Sequence, residues 1–142
     1  MKNVWVPGER LGEVPFRGEY EEYENLLGGR WAEDEGALKN DTFVYFVLAD
    51  EDHDIQLVFS KGTLWRLSVQ HSLVLDGVQL FGRTPDELAE ALGAGAEAYQ
   101  EPWVDEELWM VGHERFGLLA FYYEAPYDSA DSISLSLGKQ GG

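Results

Sequence analysis

Six runs in this chain are rich in β-branched and aromatic residues and too short for helices that could stand alone: Thr42–Leu48, Ile55–Ser60, Thr63–Val69, Leu108–Val111, Phe116–Tyr123 and Ser132–Leu137. They commit the fold to a sheet. Lys61-Gly62 is a tight turn between the second and third runs, so these form a meander with the first. Thr42–Leu48 is apolar on both faces, which predicts a central strand with helix on one side and another layer or a partner on the other. Ser132–Leu137 alternates serine with apolar residues, the pattern of a half-buried or edge strand. His71–Leu75 is expected to extend the sheet before Asp76-Gly77 turns the chain into Val78–Leu80. Elsewhere the reading is of loops: residues 1–18 are turn-rich with one short strand at Val4–Val6, 31–41 are polar, 94–98 are Gly/Ala-rich, and His113–Arg115 is a polar connection.

Two short helices complete the pattern. In Phe81–Gly93, Thr84 can cap the free backbone amides, Pro85 suits the first helical position, and Glu87 closes a capping box. Leu88, Ala91 and Leu92 then form an apolar stripe, and Gly93 ends the helix. In Glu19–Leu27, Tyr20, Tyr23 and Leu27 recur at helical spacing, the glutamates face solvent, and Gly28-Gly29 is the stop. About two turns cannot persist alone in water, so both must lie on the sheet. The expected fold class is α+β: one antiparallel sheet with two short helices on one face.

The helix-stopping glycines Gly28 and Gly93 are 65 positions apart, and the same offset carries Phe43 to Leu108, Leu57 to Tyr122 and Leu67 to Ser132. Helix, loop and three strands thus occur twice, which suggests repeat halves at 11–76 and 77–138 within a single domain of 1–142. The competing reading is a small α+β domain whose spacing coincides by chance.

Composition bounds the function. Hydrophobic residues make up 44% of the chain and aromatics 13%, enough for a packed core despite the charge. No cysteine is present, which excludes thiol chemistry and disulfides and fits a reducing compartment. No apolar run is long enough for a signal peptide or membrane span, so a cytoplasmic protein is expected. Ten basic against 27 acidic residues give a net charge of -17, a field that repels nucleic acid and anionic lipid and attracts basic proteins. Acidity as a general habit of the host, or as an aid to solubility, is the alternative.

No complete catalytic set is legible. Asp50–Asp54 around His53 is the best metal candidate but lacks the glycine and terminal glutamate of a calcium loop, so it reads as a solvated turn. His71, Ser72 and Asp76 have the residue types of a hydrolase triad without a nucleophile elbow, and His113-Glu114, which could do acid–base work with Glu124, is explained more cheaply by a polar connection. Carboxylate pairs carry no information in so acidic a chain, and no phosphate-cradling loop follows a strand. A non-enzymatic role without cofactor or metal is expected. The tryptophans say more: Trp31, Trp103 and Trp109, with Asp105, Glu106, Glu107 and Tyr123, are aromatic anchors among acids, as recognition of a basic protein requires. Closure of the core ends by indoles is the competing account. Two further readings are a pocket for a small molecule or metal, lined by Trp31, Trp65 and Tyr123, and a self-assembling structural protein with an exposed sheet edge.

The stretch Gly82-Arg83-Thr84-Pro85-Asp86-Glu87-Leu88, followed by Leu92-Gly93 and later aromatic strands, resembles the repeat of beta-lactamase inhibitory protein-like domains. The likeness covers 13 residues, 81–93. It implies a short helix before a curved antiparallel sheet and binding of other proteins through a concave aromatic face. The cysteines of secreted members are absent, and no inhibitory residue carries over. A small, acidic, cysteine-free chain is also similar in composition to bacterial immunity proteins that neutralise toxic nucleases, which implies a toxin-like basic partner.

Overall fold

The computed structural model describes residues 3–17, 22–23, 25, 31–33, 43–48, 55–60, 63–103 and 106–137; for 31–33, 43–48, 60, 103 and 106 it describes the backbone. In chain order the elements are β1 (Val4–Val6), β2 (Arg10–Leu11), β3 (Val14–Pro15), β4 (Trp31–Glu33), β5 (Phe43–Leu48), β6 (Ile55–Ser60), β7 (Thr63–Val69), β8 (Val74–Leu75), β9 (Val78–Gln79), α1 (Pro85–Leu92), β10 (Ala96–Trp103), β11 (Glu106–His113), β12 (Leu118–Tyr122) and β13 (Ser132–Ser136). A single 3-10 turn, Glu114–Phe116, joins β11 to β12.

Eight strands form one antiparallel sheet in the order β10-β11-β12-β13-β7-β6-β5-β4. Its centre is the pair β7–β13, where Leu67 faces Leu135 and Val69 faces Ile133. On either side the strands run outward in reverse chain order, so the arrangement is a mirror about this seam. Two expectations change accordingly. β13 is a central strand: its alternation records one face in the core and one outside, and carries no information about edges. β5 stands next to the edge strand β4.

A second, smaller sheet has the order β3-β2-β1-β8-β9. Residues 3–17 therefore hold three short strands where one was expected, and β8 belongs here, not to the main sheet. β1 and β8 are parallel, an exception to the antiparallel rule. Buried Asn3 sets that pairing. Its side-chain amide donates to the Ser72 carbonyl at 2.9 Å, and its own carbonyl accepts from the Val74 amide at 3.0 Å. The β8–β9 hairpin turns through Asp76 and Gly77, both at positive φ (51° and 79°), the geometry of a tight two-residue turn.

Helix α1 begins and ends where its chemistry dictates. The Glu87 amide donates to Thr84 Oγ1 at 3.3 Å, the Thr84 amide donates to Glu87 Oε1 at 2.9 Å, and Pro85 occupies the first turn. These bonds hold the Glu87 carboxyl below its ordinary value. At the other end Gly93 takes φ 83° and donates to the Ala89 carbonyl. The buried stripe is Pro85, Leu88 and Leu92 with Ala89 half-buried, while Ala91 is exposed, so the helix lies about one residue further round than expected. Helix α1 rests on β10 and β11. Tyr122 ties its lead to the sheet: the buried hydroxyl donates to the Arg83 carbonyl at 2.8 Å, and burial, with Glu87 nearby, pushes the phenol well above its ordinary range. The expected helix at 19–27 lies largely outside the described residues. Glu22, Tyr23 and Asn25 are helical, and Tyr23 is buried, donating to the Pro15 carbonyl with its ring edge-on to Phe59.

One core joins these layers. Leu57, Phe59, Leu67, Val69, Val111, Leu118, Ala120, Tyr122, Ile133 and Leu135 point from the large sheet into it, against Trp5, Leu11, Leu80, Leu88 and Leu92. Trp5 is 1% exposed and meets Phe116 edge-on at 5.3 Å.

Candidate functional site

The large sheet has a second face, and strand parity tells which residues occupy it. On β12, Leu118, Ala120 and Tyr122 enter the core, so Leu119 and Phe121 stand on the outer side. Register then assigns the neighbours: Gly112 and Met110 on β11, Glu97 and Tyr99 on β10, and Ser134 on β13. Across the seam Ser134 faces Ser68, their hydroxyls 3.2 Å apart. On β7 a bulge opposite Val58/Phe59 inserts one residue. Leu64 and Leu67, three apart, both reach the core, so Trp65 and Arg66 share the outer face, the Arg66 guanidinium 5.2 Å from the centre of the Trp65 ring.

This face is aromatic and partly bare. Trp65 is 44% exposed and Tyr99 38%, and Phe121 stacks on Tyr123 with ring centres 6.0 Å apart. Acids accompany it: Glu97 and Glu101 share the outer side of β10 with Tyr99, and Glu114 follows β11; all three are exposed. A cleft of about 380 Å³ opens beside Glu97 and Glu114, its lining including Tyr99, Gly112, Leu119 and Ser136.

The residues singled out in the sequence do not converge on one spot. Trp31 is on the edge strand β4 and Trp103 ends the opposite edge strand β10, seven strand spacings away, about 34 Å along the sheet. Trp103 pairs with Glu106 at the β10–β11 hairpin, whose tip, including Asp105, lies outside the described residues. Glu107 is exposed, and its carbonyl accepts from the Tyr127 hydroxyl at 2.7 Å. Trp109 shares the core-facing side of β11 with Val111 and is half-buried against the core. Tyr123 is half-buried beside Phe121, its amide bonded to Asp131 Oδ2 at 2.8 Å. Phe121, Tyr99 and Glu97 went unremarked in the sequence. Reading them required knowing which side of each strand is core, which apolar residues on both sides of β11 and β12 conceal.

The histidines separate as well. His53 and its acidic neighbours lie outside the described residues. His71 is exposed, Asp76 sits in the β8–β9 turn, and Ser72 Oγ accepts from Gln79 Nε2 at 3.0 Å. His113 is not the polar connection expected: it is the last residue of β11, 4% exposed and tilted against Phe116 at 4.5 Å. Its Nε2 donates to the Ala94 carbonyl at 3.0 Å, which leaves Nδ1 buried without a hydrogen-bond partner. Glu124 follows the far end of β12 and does not approach it. Among the described residues no group of three or more His, Asp or Glu side chains could hold a metal ion, and no helix is long and apolar enough to cross a membrane. Comparison with protein-family models, curated proteins and solved structures finds no match to this chain.

Proposed function

We propose that this chain is a non-enzymatic protein-binding domain that receives a basic protein on the outer face of its large sheet. The carrying observation is the exposure of Trp65 on β7 and of Tyr99 on β10, with the Phe121–Tyr123 stack at the end of β12 between these strands, on that face of a chain with net charge -17. Large rings supply desolvated contact area at little entropic cost, and surrounding carboxylates select a cationic partner and speed its approach. An aromatic sheet face opposite a helix-covered one also agrees with the likeness to beta-lactamase inhibitory protein-like domains. Within that reading, inhibition or immunity by neutralising a basic toxin in the cytoplasm is the role that suits the charge. The acidic hairpin bearing Trp103, Asp105, Glu106 and Glu107, and Trp31 on the opposite edge, would extend the contact.

The same reading takes 11–76 and 77–138 as tandem halves. Its support is the mirror order of the sheet and a shared register. Trp31 pairs with Leu48 and Ala96 with His113, so positions 31 and 96, and 48 and 113, are each 65 apart in equivalent hairpins.

The test is capture of basic proteins on the immobilised chain, followed by calorimetry with the purified partner. Trp65→Ala is expected to cost about 2 kcal/mol of binding, roughly 30-fold, as an exposed ring at a hot spot does. If no basic protein binds at micromolar affinity, or if Trp65→Ala and Tyr99→Ala both bind as the parent does, the reading is wrong.

A further inference from the structure

We infer that the cleft over Gly112 is a slot for one lysine or arginine side chain of the basic partner; this rests on the protein-binding reading and names what that face recognises. The slot exists because of a glycine that the backbone does not require. Gly112 lies within β11 without positive φ, and a Cβ there would meet Leu119 Cδ1 at 3.6 Å and the Leu118 carbonyl oxygen at 3.8 Å, ordinary contact distances. The fold would accept a side chain at this position. Glycine within a strand weakens it and leaves room for something else to approach the backbone.

What surrounds that room matches a long cation. Leu119 and the exposed ring of Tyr99 offer apolar walls for a methylene stem, and Tyr99 adds a ring face for the charge. Glu97 is the direct register partner of Gly112, and Glu114 begins the turn after β11, so carboxylates stand at two sides of the opening. Ser136 supplies a hydroxyl from β13. Two of the protein's own arginines are near. Arg66, register partner of Ser136, lies over Trp65, and Arg115 lies 5.8 Å from the centre of the Phe116 ring. At about 380 Å³ the cleft is near the lower limit for small-molecule pockets, and its carboxylate rim departs from their mainly apolar lining. One side chain reaching in from a docked surface suits it better.

The experiment titrates the 15N-labelled full chain with an acetylated, amidated hexa-arginine peptide and with its hexa-citrulline analogue. Amide shifts are expected to centre on Glu97, Gly112, Leu119 and Ser136 with the cationic peptide alone. Gly112→Val, which fills the floor without changing charge, and Glu97→Gln should each weaken binding about 5-fold or more, whereas Asp86→Asn on α1 should change it less than about 2-fold. If Gly112→Val melts well below the parent, Glu97→Gln against Asp86→Asn decides alone. Equal losses for Glu97→Gln and Asp86→Asn would show only the general field of the chain and overturn the slot, as would full binding by a folded Gly112→Val. Should a captured protein partner bind Gly112→Val as it binds the parent, the slot fails while the protein-binding reading stands; should no partner bind the parent, that reading fails first.

Discussion

Leu67→Ala tests the seam on which the large sheet depends. Leu67 has no exposed surface and lies between Leu57 on β6 and Leu135 on β13. Deleting its three outer carbons forfeits ~0.8 kcal/mol each in transfer free energy, or ~2.4 kcal/mol. Paired strands on both sides hinder collapse, so the cavity adds ~1 kcal/mol or more, and the expected loss is ~3–4 kcal/mol. For a chain of this size that lowers the melting temperature by roughly 10 °C. Urea unfolding followed by tryptophan fluorescence and far-ultraviolet circular dichroism measures it. Both probes should report a single transition displaced together, because the seam fuses the two sets of strands into one core. Leu135→Ala should behave alike, and the double variant should depart from the sum by ~0.5 kcal/mol or more, since the two residues face each other. A loss under ~1 kcal/mol would refute the central pairing. Two separate transitions in the parent would refute the single core.

Other consequences concern the helix and its tie to the sheet. Thr84→Ala removes the cap and should cost ~1 kcal/mol in a thermal or urea melt. Glu87→Gln probes the other half of the box: the carboxyl is held below its ordinary 4.5, so its contribution is present above that pH and lost as pH falls through the lowered value. The variant should therefore lie further below the parent at pH 7 than at pH 3. Tyr122→Phe should cost ~1–2 kcal/mol at pH 7, because the Arg83 carbonyl loses its donor. The raised phenol makes folding favourable below 10.0 and erodes it as pH rises beyond. The parent should thus lose stability above pH 10.0 more steeply than Tyr122→Phe, and equal slopes would contradict its burial.

The start and stop of helix α1 are legible because Thr84, Pro85, Glu87 and Gly93 act locally; which alanine beside Leu88 and Leu92 is half-buried, Ala89 and not Ala91, is set by the sheet beneath. Strands β6, β7, β12 and β13 were legible from β-branched and aromatic runs. Strand β10 was not: its core-facing residues include Ala96 and Ala98, half-buried near α1, and its outer ones include Glu97 and Glu101, so the residues carry little β propensity. The sequence puts the connection at His113–Arg115, two residues after Val111, whereas β11 runs through His113 and the turn takes in Phe116; the burial of His113 depends on Phe116 and the Ala94 carbonyl, which only the fold brings near. For Trp65, alternation alone would set it beside Leu67 and Val69; the bulge opposite Val58/Phe59, which turns it outward, leaves no mark in the sequence. For Trp109, apolar neighbours at Leu108, Met110 and Val111 gave no parity to read.

The mirror order about β7 and β13 also sets a schedule. As the chain is synthesised, β7 is complete about 60 residues before β13 begins, an interval of ~3–12 s at ~5–20 residues per second. Throughout it the hydrogen-bonding rim of β7 has no mate, and Leu67 and Val69 lack half their cover. A ribosome-borne intermediate with an open flank of that kind invites pairing with other nascent chains, and release from that hazard comes only when Ile133 and Leu135 arrive.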